Sequence, residues 1–558
     1  MRLTVLLLLA VIIPAAWWLL NATNPGASSR QQARIGRHLR RLGERRWLVI
    51  CSSGLLVLLI RLCLLPLWHI PEPTVPDEFG YLLLADTFAS GRLTNPSHPL
   101  WEHFETLFVL QQPTYASVYP VLQGFILAAP KLLGWHPWWG VWLIAGVMCC
   151  ATCWALQGWL PPVWSLLGTA WVCLNLAVAG YWMNSYWGGS AGAIGGALVA
   201  GAAGRLRHAI KVRYVLAFAA GLAILANTRP YEGFLLGTTL TIWLVARVAN
   251  RGPGWKNGLL RVALPLVLTL SATGAATSYY FWRVTGSPFR MPYQTYSQEY
   301  AAAPAFVWQN PVPEPAYRHP DLRAAHLAFA RDYYALRDGS TAWRALLAKL
   351  QLLGTFYLGP MVLLPLLLCW RLPRGRNCLP FVCTAVTVCG ILLGVYLQPH
   401  YGAPLMPFVL ILAVQSLRFL WIVRRFGNRI GEFLVLSTPV ICLAYAIVSA
   451  LSPHASATVS LRAKTEDWLK GAGPRHVVIV HYEPGHAPAD EWVYNAADID
   501  RASIIWARDM GIERNRELVQ YFRGRQIWWL LAGKSSTRIL PYAETNLPGE
   551  LADWPHKR

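Results

Sequence analysis

The sequence predicts a polytopic α-helical membrane protein of about twelve spans that carries a small α/β domain at its C-terminal end, outside the membrane. Three observations lead there. Of the 558 residues 55% are hydrophobic and 14% charged, with a mean hydropathy of +0.35, whereas soluble domains run near ~25% charged. The net charge of +22 is scattered in short clusters between apolar blocks, the distribution that the positive-inside rule produces, and not gathered into one nucleic-acid-binding patch. From His454 the apolar blocks give way to a soluble pattern of short buried strands and polar connections.

Taken in order, Met1 to Leu20 is an apolar run preceded by Arg2. Cleavage as a signal peptide would leave the cluster Arg30, Arg34, Arg37, Arg40, Arg41, Arg45 and Arg46 outside, so an uncleaved span with an external N-terminus is expected. A second span near 47–68 then delivers the loop 70–137 to the outer face. Within that loop the apolar piece Tyr119 to Gly134, bounded by Pro120 and Pro137, falls short of the ~20 residues needed to cross and reads as a helix at the outer interface. Further spans are expected near 138–158, 162–180, 188–204, 214–231, 233–249, 262–281, 350–370, 378–397, 402–422 and 431–451. This single orientation puts Arg205, Arg207, Lys211 and Arg213 inside, together with Arg247, Arg251, Lys256 and Arg261. It also places Arg371, Arg374 and Arg376, and Arg424, Arg425 and Arg429, on the same side.

The chain therefore divides into a membrane domain, 1–453, with external loops at 70–137 and 282–349, and a soluble extracytoplasmic domain, 454–558. In the latter His476 to Tyr482, Ala502 to Ala507 and Gln526 to Leu531 read as buried strands, Arg514 to Arg523 reads as a helix, and the whole is expected to form a separate core. All eleven cysteines lie in or beside apolar spans, so no disulfide framework is expected. Cys150-Ala-Thr-Cys153, inside an apolar run, reads as packing. The location implied is the plasma membrane, a bacterial inner membrane, with multiple passes.

Chemistry concentrates in the first long polar interruption, Ile70 to Pro120, which holds Asp77, Glu78, His98, Glu102, His103, Glu105, Tyr115 and Tyr119. Acidic side chains bordering a membrane are costly to place and point to function. The structural alternative is that Asp77 and Glu78 simply open a helix after Pro76, where the macrodipole favours carboxylates.

The acidic pair after a long hydrophobic span, the aromatic Phe79, Gly91-Arg92-Leu93 and Tyr119-Pro120 resemble the first external loop of GT-C glycosyltransferases. The similar members are the protein O-mannosyltransferases and the lipid A aminoarabinose transferase, which use polyprenyl-phosphate-linked sugars. The layout resembles theirs over roughly residues 47 to 450. The resemblance implies a GT-C-like fold, a polyprenyl-phosphate-sugar donor, a lipid, glycan or protein acceptor, contact with membrane lipids, and Asp77 as the general base. Glu78, about 100° round a helix from Asp77, would brace or bind beside it.

Sugar transfer by inversion needs a base for the acceptor proton and cationic or hydrogen-bonding partners for the departing phosphate. Arg229, Arg290, His400, Tyr401 and Tyr119 are the candidates on the outer side. Arg61, inside the second span, is a further one, because a buried cation seeks an anion or snorkels outward. His98, His103 and Glu105 could hold a divalent ion, but their spacing is no recognised ligand pattern and no DxD occurs in the loop, so no metal is expected. Asp498-Ile-Asp500 matches a DxD but reads as a structural or capping element. A transporter or flippase of lipid-linked glycans would place ionisable groups at mid-membrane on broken helices, whereas here the acids sit in loops and tail. A non-catalytic scaffold with an external binding domain is the third reading.

Overall fold

The computed structural model describes residues 25–250, 255–359, 375–422, 437–441, 443–448, 460–487, 490–533 and 537–542. The expected first span, 1–20, and much of those at 350–370 and 431–451 lie outside the described residues.

The membrane part is helical. α1 (Pro25–Glu44) carries the arginine cluster as far as Arg41 and approaches Pro162, where a Cβ on Gly43 would come within 2.7 Å of the proline. α2 (Arg46–Cys63) leads into the first loop, which contains α3 (Pro76–Ala89), a 3₁₀ turn (Trp101–Phe104), a two-residue antiparallel pair β1 (Val109–Leu110) and β2 (Ala116–Ser117), and α4 (Val121–Leu132). Then come α5 (Trp138–Leu156), α6 (Pro162–Trp171) with a π turn after it (Val172–Val178), α7 (Gly189–Leu206), α8 (Val212–Ala226), α9 (Pro230–Ala249) and α10 (Trp255–Thr285). The second loop holds α11 (Pro292–Tyr300) and α12 (Pro320–Arg337), and α13 (Ala342–Leu358), α14 (Cys378–Leu393), a 3₁₀ segment (Pro399–Leu405) and α15 (Met406–Ile422) follow.

Five helices among the described residues are long and apolar enough to cross a membrane: Arg46–Cys63, Trp138–Leu156, Pro230–Ala249, Lys256–Thr285 and Pro399–Ile422. The expected spans near 162–180, 214–231 and 378–397 are shorter helices, Pro162–Val178, Val212–Ala226 and Cys378–Leu393. The limits are local: Pro161 precedes the first, Pro230 follows the second within four residues, and the third ends where Gly394 turns extended (φ −71°, ψ 142°). α7 sits at the centre. It is built mostly of Gly and Ala, almost every residue is buried, and its glycines admit close neighbours: a Cβ on Gly196 would lie 2.2 Å from the Pro404 carbonyl oxygen.

The C-terminal part begins with α16 (Leu461–Ala472) and builds one four-stranded sheet, order β4-β3-β5-β6, from β3 (His476–Tyr482), β4 (Ile504–Arg508), β5 (Gln526–Ala532) and β6 (Thr537–Pro541). β3 pairs in parallel with both β4 and β5, with α17 (Ile512–Tyr521) in the crossover, and β6 closes the edge antiparallel. The expected separate core is corrected here. Val477, Ile479, Ile505 and Ala507 on one face of the sheet pack in the same cluster as Leu83, Phe104, Val109 and Tyr115 of the first loop. A four-stranded sheet with one crossover helix has two apolar faces to cover, and the loop supplies cover for one of them.

Candidate functional site

α3 starts at Pro76 because proline at the first helical position needs no amide partner and Val75 before it is extended (φ −125°, ψ 153°). Glu78 reaches back over this start: its Oε2 accepts from the amides of Thr74 (2.8 Å) and Val75 (3.3 Å), and its Oε1 accepts from the Tyr186 amide at 2.9 Å. The carboxylate is buried and occupied on both oxygens. Burial pushes it above the ordinary range, and those backbone hydrogen bonds oppose the rise.

Asp77, one residue earlier, faces elsewhere. It is half-buried, and its Oδ1 accepts a hydrogen bond of 2.7 Å from the Tyr119 hydroxyl. Burial raises its carboxyl above the usual range; the Tyr119 hydrogen bond, its own backbone amide and the charge of Arg229 pull in the opposite direction. Tyr81, four residues on and therefore on the same face of α3, stacks on Tyr119 with centroids 4.5 Å apart. The approach of Tyr119 to α3 requires Gly80, because a Cβ there would lie 2.8 Å from its ring.

Arg229 enters from the N-cap of α9, where the backbone is off-helix (φ −138°, ψ 72°). Its guanidinium lies 4.6 Å above the Tyr401 ring and makes no hydrogen bond or ion pair among the described residues. Its stem passes α7 at Gly192, whose Cβ position is 3.5 Å from Arg229 Cγ and 3.4 Å from Ala403. His400, beside Tyr401, is buried, with Nδ1 2.9 Å from the Tyr181 hydroxyl and its ring 4.6 Å from that of Trp187. Tyr293 of α11 is close enough for the Asp77 charge to reach its phenol. Thus Asp77, Tyr119, Arg229, His400 and Tyr401, separated by more than three hundred residues in sequence, meet in one cluster.

Two candidates stand apart. Arg290 is exposed on the turn between α10 and α11. Arg61 is fully buried within the protein, with Nε donating to Asn184 Oδ1 (3.1 Å), its terminal nitrogens to the carbonyls of Trp68 (2.8 Å) and His69 (3.1 Å), and its Cζ 4.8 Å from the Trp138 ring centroid. It ties the end of α2 to the 181–187 segment.

His98, His103 and Glu105 diverge. His98 Nε2 meets Asp500 Oδ1 at 3.2 Å, His103 Nδ1 meets the Arg508 carbonyl at 3.1 Å, and Glu105 is held by Tyr300 (2.6 Å), Arg318 (3.1 Å) and His319 (3.1 Å). Burial alone would raise the Glu105 carboxyl, but hydrogen bonds from His319 and Tyr300 and the charges of His319 and Arg318 bring it below the ordinary value. Among the described residues no three His, Cys, Asp or Glu converge as a metal site. Asp498 caps the Arg501 amide at 3.2 Å.

The sequence reasoning missed the partners that the tail supplies. Phe79, two residues after Asp77, stacks on Tyr494 with centroids 4.4 Å apart and planes 3° apart, and Arg462 lies 4.5 Å over the same ring. Arg508, fully buried, pairs with Asp321 and Glu491 and donates to the Glu105 carbonyl at 2.5 Å. Burial pushes the Glu491 carboxyl up to about 7. Tyr81 was legible in principle, at i+4 from Asp77; for Tyr494 and Arg508 no local signal exists.

No family model and no curated protein matches this sequence. Solved structures do. The oligosaccharyltransferase of Archaeoglobus fulgidus, in complex with zinc and sulfate, aligns with a TM-score of 0.49 at 9% identity, over 87% of this chain and 67% of that one. ArnT from Cupriavidus metallidurans, bound to undecaprenyl phosphate, aligns with a TM-score of 0.46 at 13% identity, over 87% of this chain and 93% of that one. The archaeal enzyme AglB from A. fulgidus, in complex with an inhibitory peptide and a dolichol-phosphate, gives 0.40 at 9% identity, over 87% and 69%. These structural neighbours are GT-C glycosyltransferases.

Proposed function

We propose that this chain is an integral-membrane glycosyltransferase that moves a sugar from a polyprenyl-phosphate carrier to an acceptor hydroxyl at the extracytoplasmic face. The observation that carries the reading is a half-buried carboxylate, Asp77, held by Tyr119, within electrostatic reach of a guanidinium, Arg229, that has no hydrogen-bonding or ionic partner among the described residues. A base and, within its electrostatic reach, a cation without an ionic partner among the described residues are what the step requires.

The acceptor O–H loses its proton to Asp77 as its oxygen bonds to the anomeric carbon. The bond from that carbon to the phosphate oxygen breaks, and its electron pair stays on the phosphate. The leaving group needs no proton, so one base suffices, unlike glycoside hydrolysis with its two carboxylates. Arg229 offers a planar fork that suits the phosphate oxygens, and Tyr81, Tyr119, Tyr401 and Trp187 offer faces on which a sugar ring can stack. Glu78 is a positioning residue: with both oxygens engaged, it fixes the start of α3 and so the direction of Asp77. The donor class and the outer-face location come from the resemblance of the 70–137 loop and from the charge distribution, and lipids, glycans and proteins remain the acceptor classes.

The test is transfer from a purified polyprenyl-phosphate sugar by Asp77→Asn protein at matched membrane levels. A lost base lowers transfer by about 10² to 10⁴-fold with thermal stability near wild type. Normal turnover would return Asp77 to the role of a helix-capping carboxylate.

A further inference from the structure

The donors around Arg229 extend beyond it, onto the start of α7. The N-cap of this helix is Gly188, which has no side chain to accept from the first turn, and the amides of Gly189, Ser190 and Ala191 have no partner among the described residues. An 18-residue helix thus presents its positive end without a cap. Gly188 and Gly192 lie one turn apart on the same face of α7. Among the side chains that face meets, beside Gln123, Ala403 and Pro404, are Tyr81 and Arg229. A Cβ on Gly188 would lie 3.7 Å from the Tyr81 hydroxyl, and one on Gly192 would lie 3.5 Å from Arg229 Cγ. Tyr81 is only 4% exposed, yet its hydroxyl has no hydrogen-bond partner among the described residues. An uncapped helix start, a phenol without a hydrogen-bond partner among the described residues and the stem of Arg229, whose guanidinium has no hydrogen-bond or ionic partner among them, therefore meet on one face, and all three can donate. The carboxylates whose charges reach Arg229 are Asp77, which Tyr119 occupies, and Glu232.

We infer that the first turn of α7, with Tyr81 and Arg229, is a phosphate subsite that takes the phosphate ester of the lipid carrier, the diester before transfer and the monoester after it. The inference rests on the reading given under Proposed function and extends its binding surface from the first loop, through Tyr81, onto the first turn of α7. Uncapped amides at a helix start bind phosphate well because several N–H groups and the dipole act on one anion. The absence of side chains at 188 and 192 lets the phosphate approach the backbone between Tyr81 and Arg229.

Two substitutions separate the subsite from the fold. Gly188→Asp places a carboxylate at an N-cap, where Asp is favoured; its Cβ would make ordinary contacts at 3.6 and 3.7 Å, while the carboxylate occupies the free amides and repels a phosphate. Tyr81→Phe keeps the ring and its stacking on Tyr119 and removes only the hydroxyl, so it carries the test should the first variant fold poorly.

The measurement is binding of undecaprenyl phosphate, of uncharged undecaprenol and of inorganic phosphate as competitor to the purified full chain in detergent, with Arg229→Gln as reference. Each charge-assisted hydrogen bond lost weakens binding roughly tenfold. Both variants are expected to weaken the lipid phosphate by at least that factor and to leave undecaprenol unchanged, and inorganic phosphate should displace the lipid phosphate from wild type but not from Gly188→Asp. If Arg229→Gln loses the lipid phosphate while Gly188→Asp and Tyr81→Phe bind it as wild type does, the subsite is wrong and the transferase reading stands. If wild type does not prefer the phosphate to the alcohol, both fall.

Discussion

Gly80→Ala tests whether Tyr119 positions the carboxylate of Asp77. A methyl group at Gly80 would lie 2.8 and 2.9 Å from two carbons of the Tyr119 ring and 3.2 Å from Ser117 Oγ. Carbon atoms pack at ~3.5 Å or more, so the ring must recede from α3 by about 0.7 Å. The hydroxyl moves with it, and the 2.7 Å bond to Asp77 opens toward the limit of useful hydrogen-bond geometry. A hydrogen bond to a charged group is worth about 1.5–3 kcal/mol, and small misplacements near the chemistry cost up to ~10²-fold in rate. Transfer is therefore expected to fall by roughly 10 to 100-fold. Stability should change little, because exchanging glycine for alanine inside a helix stabilises it by ~1 kcal/mol and offsets part of the strain on the ring.

The assay is a double-mutant cycle with Tyr119→Phe, reading transfer rate and melting temperature together. If Gly80→Ala acts through the hydroxyl, the double variant is no slower than Tyr119→Phe alone, and the coupling accounts for nearly the whole effect of the alanine. Full turnover by Gly80→Ala, or two effects that simply multiply, would refute the positioning role of Tyr119.

Three further outcomes are expected. The acidic limb of the pH–rate profile should lie above the ordinary aspartate range, because Asp77 must be ionised to act and burial raises its carboxyl; Tyr119→Phe removes a bond that lowers it, so the limb should move to higher pH, and an unmoved or lower limb would exclude Asp77 as the titrating base. A chain ended at Ser452 should still insert but uncover Leu83, Phe104, Val109 and Tyr115 of the first loop, and Arg508→Met in the full chain, which strands Glu491 without its cation, should cost about 3–5 kcal/mol in denaturant or thermal melts; unchanged transfer and melting for both would mean the tail is an independent module. A single cysteine introduced near Arg40 should resist impermeant thiol reagents in intact cells, and labelling there would overturn the expected orientation of the helices.

What could be read from the sequence was what repeats locally. α3 announced itself through Pro76 followed by two acids, and the strands of the tail through runs such as His476 to Tyr482, because caps and apolar periodicity are properties of neighbouring residues. Arg229 was recognisable as a cation at a span's end, but its lack of a hydrogen-bond or ionic partner among the described residues was not, since that depends on what does not approach it in space. Arg61 shows the converse. A cation inside an apolar span is a fair candidate for a ligand, but three acceptors, two of them backbone carbonyls of Trp68 and His69 a few residues on, satisfy it where sequence alone offers no view of the backbone turning back.

The same limit explains the tail. Arg508 ends a strand whose other residues, Ile504 to Ala507, are apolar, and its carboxylate partners come from Asp321 and Glu491, one of them nearly two hundred residues away. A buried guanidinium with two carboxylates is costly to desolvate and gains little over apolar packing, so its value is better sought in specificity than in stability: Asp321 comes from the second loop and Glu491 from the tail, and the guanidinium joins the two. Because Phe79 joins Tyr494 in the same contact surface, that docking reaches to within two residues of Asp77. The orientation of the proposed base is thus set from two sides, by Glu78 within the loop and by the sheet stacked behind Phe79.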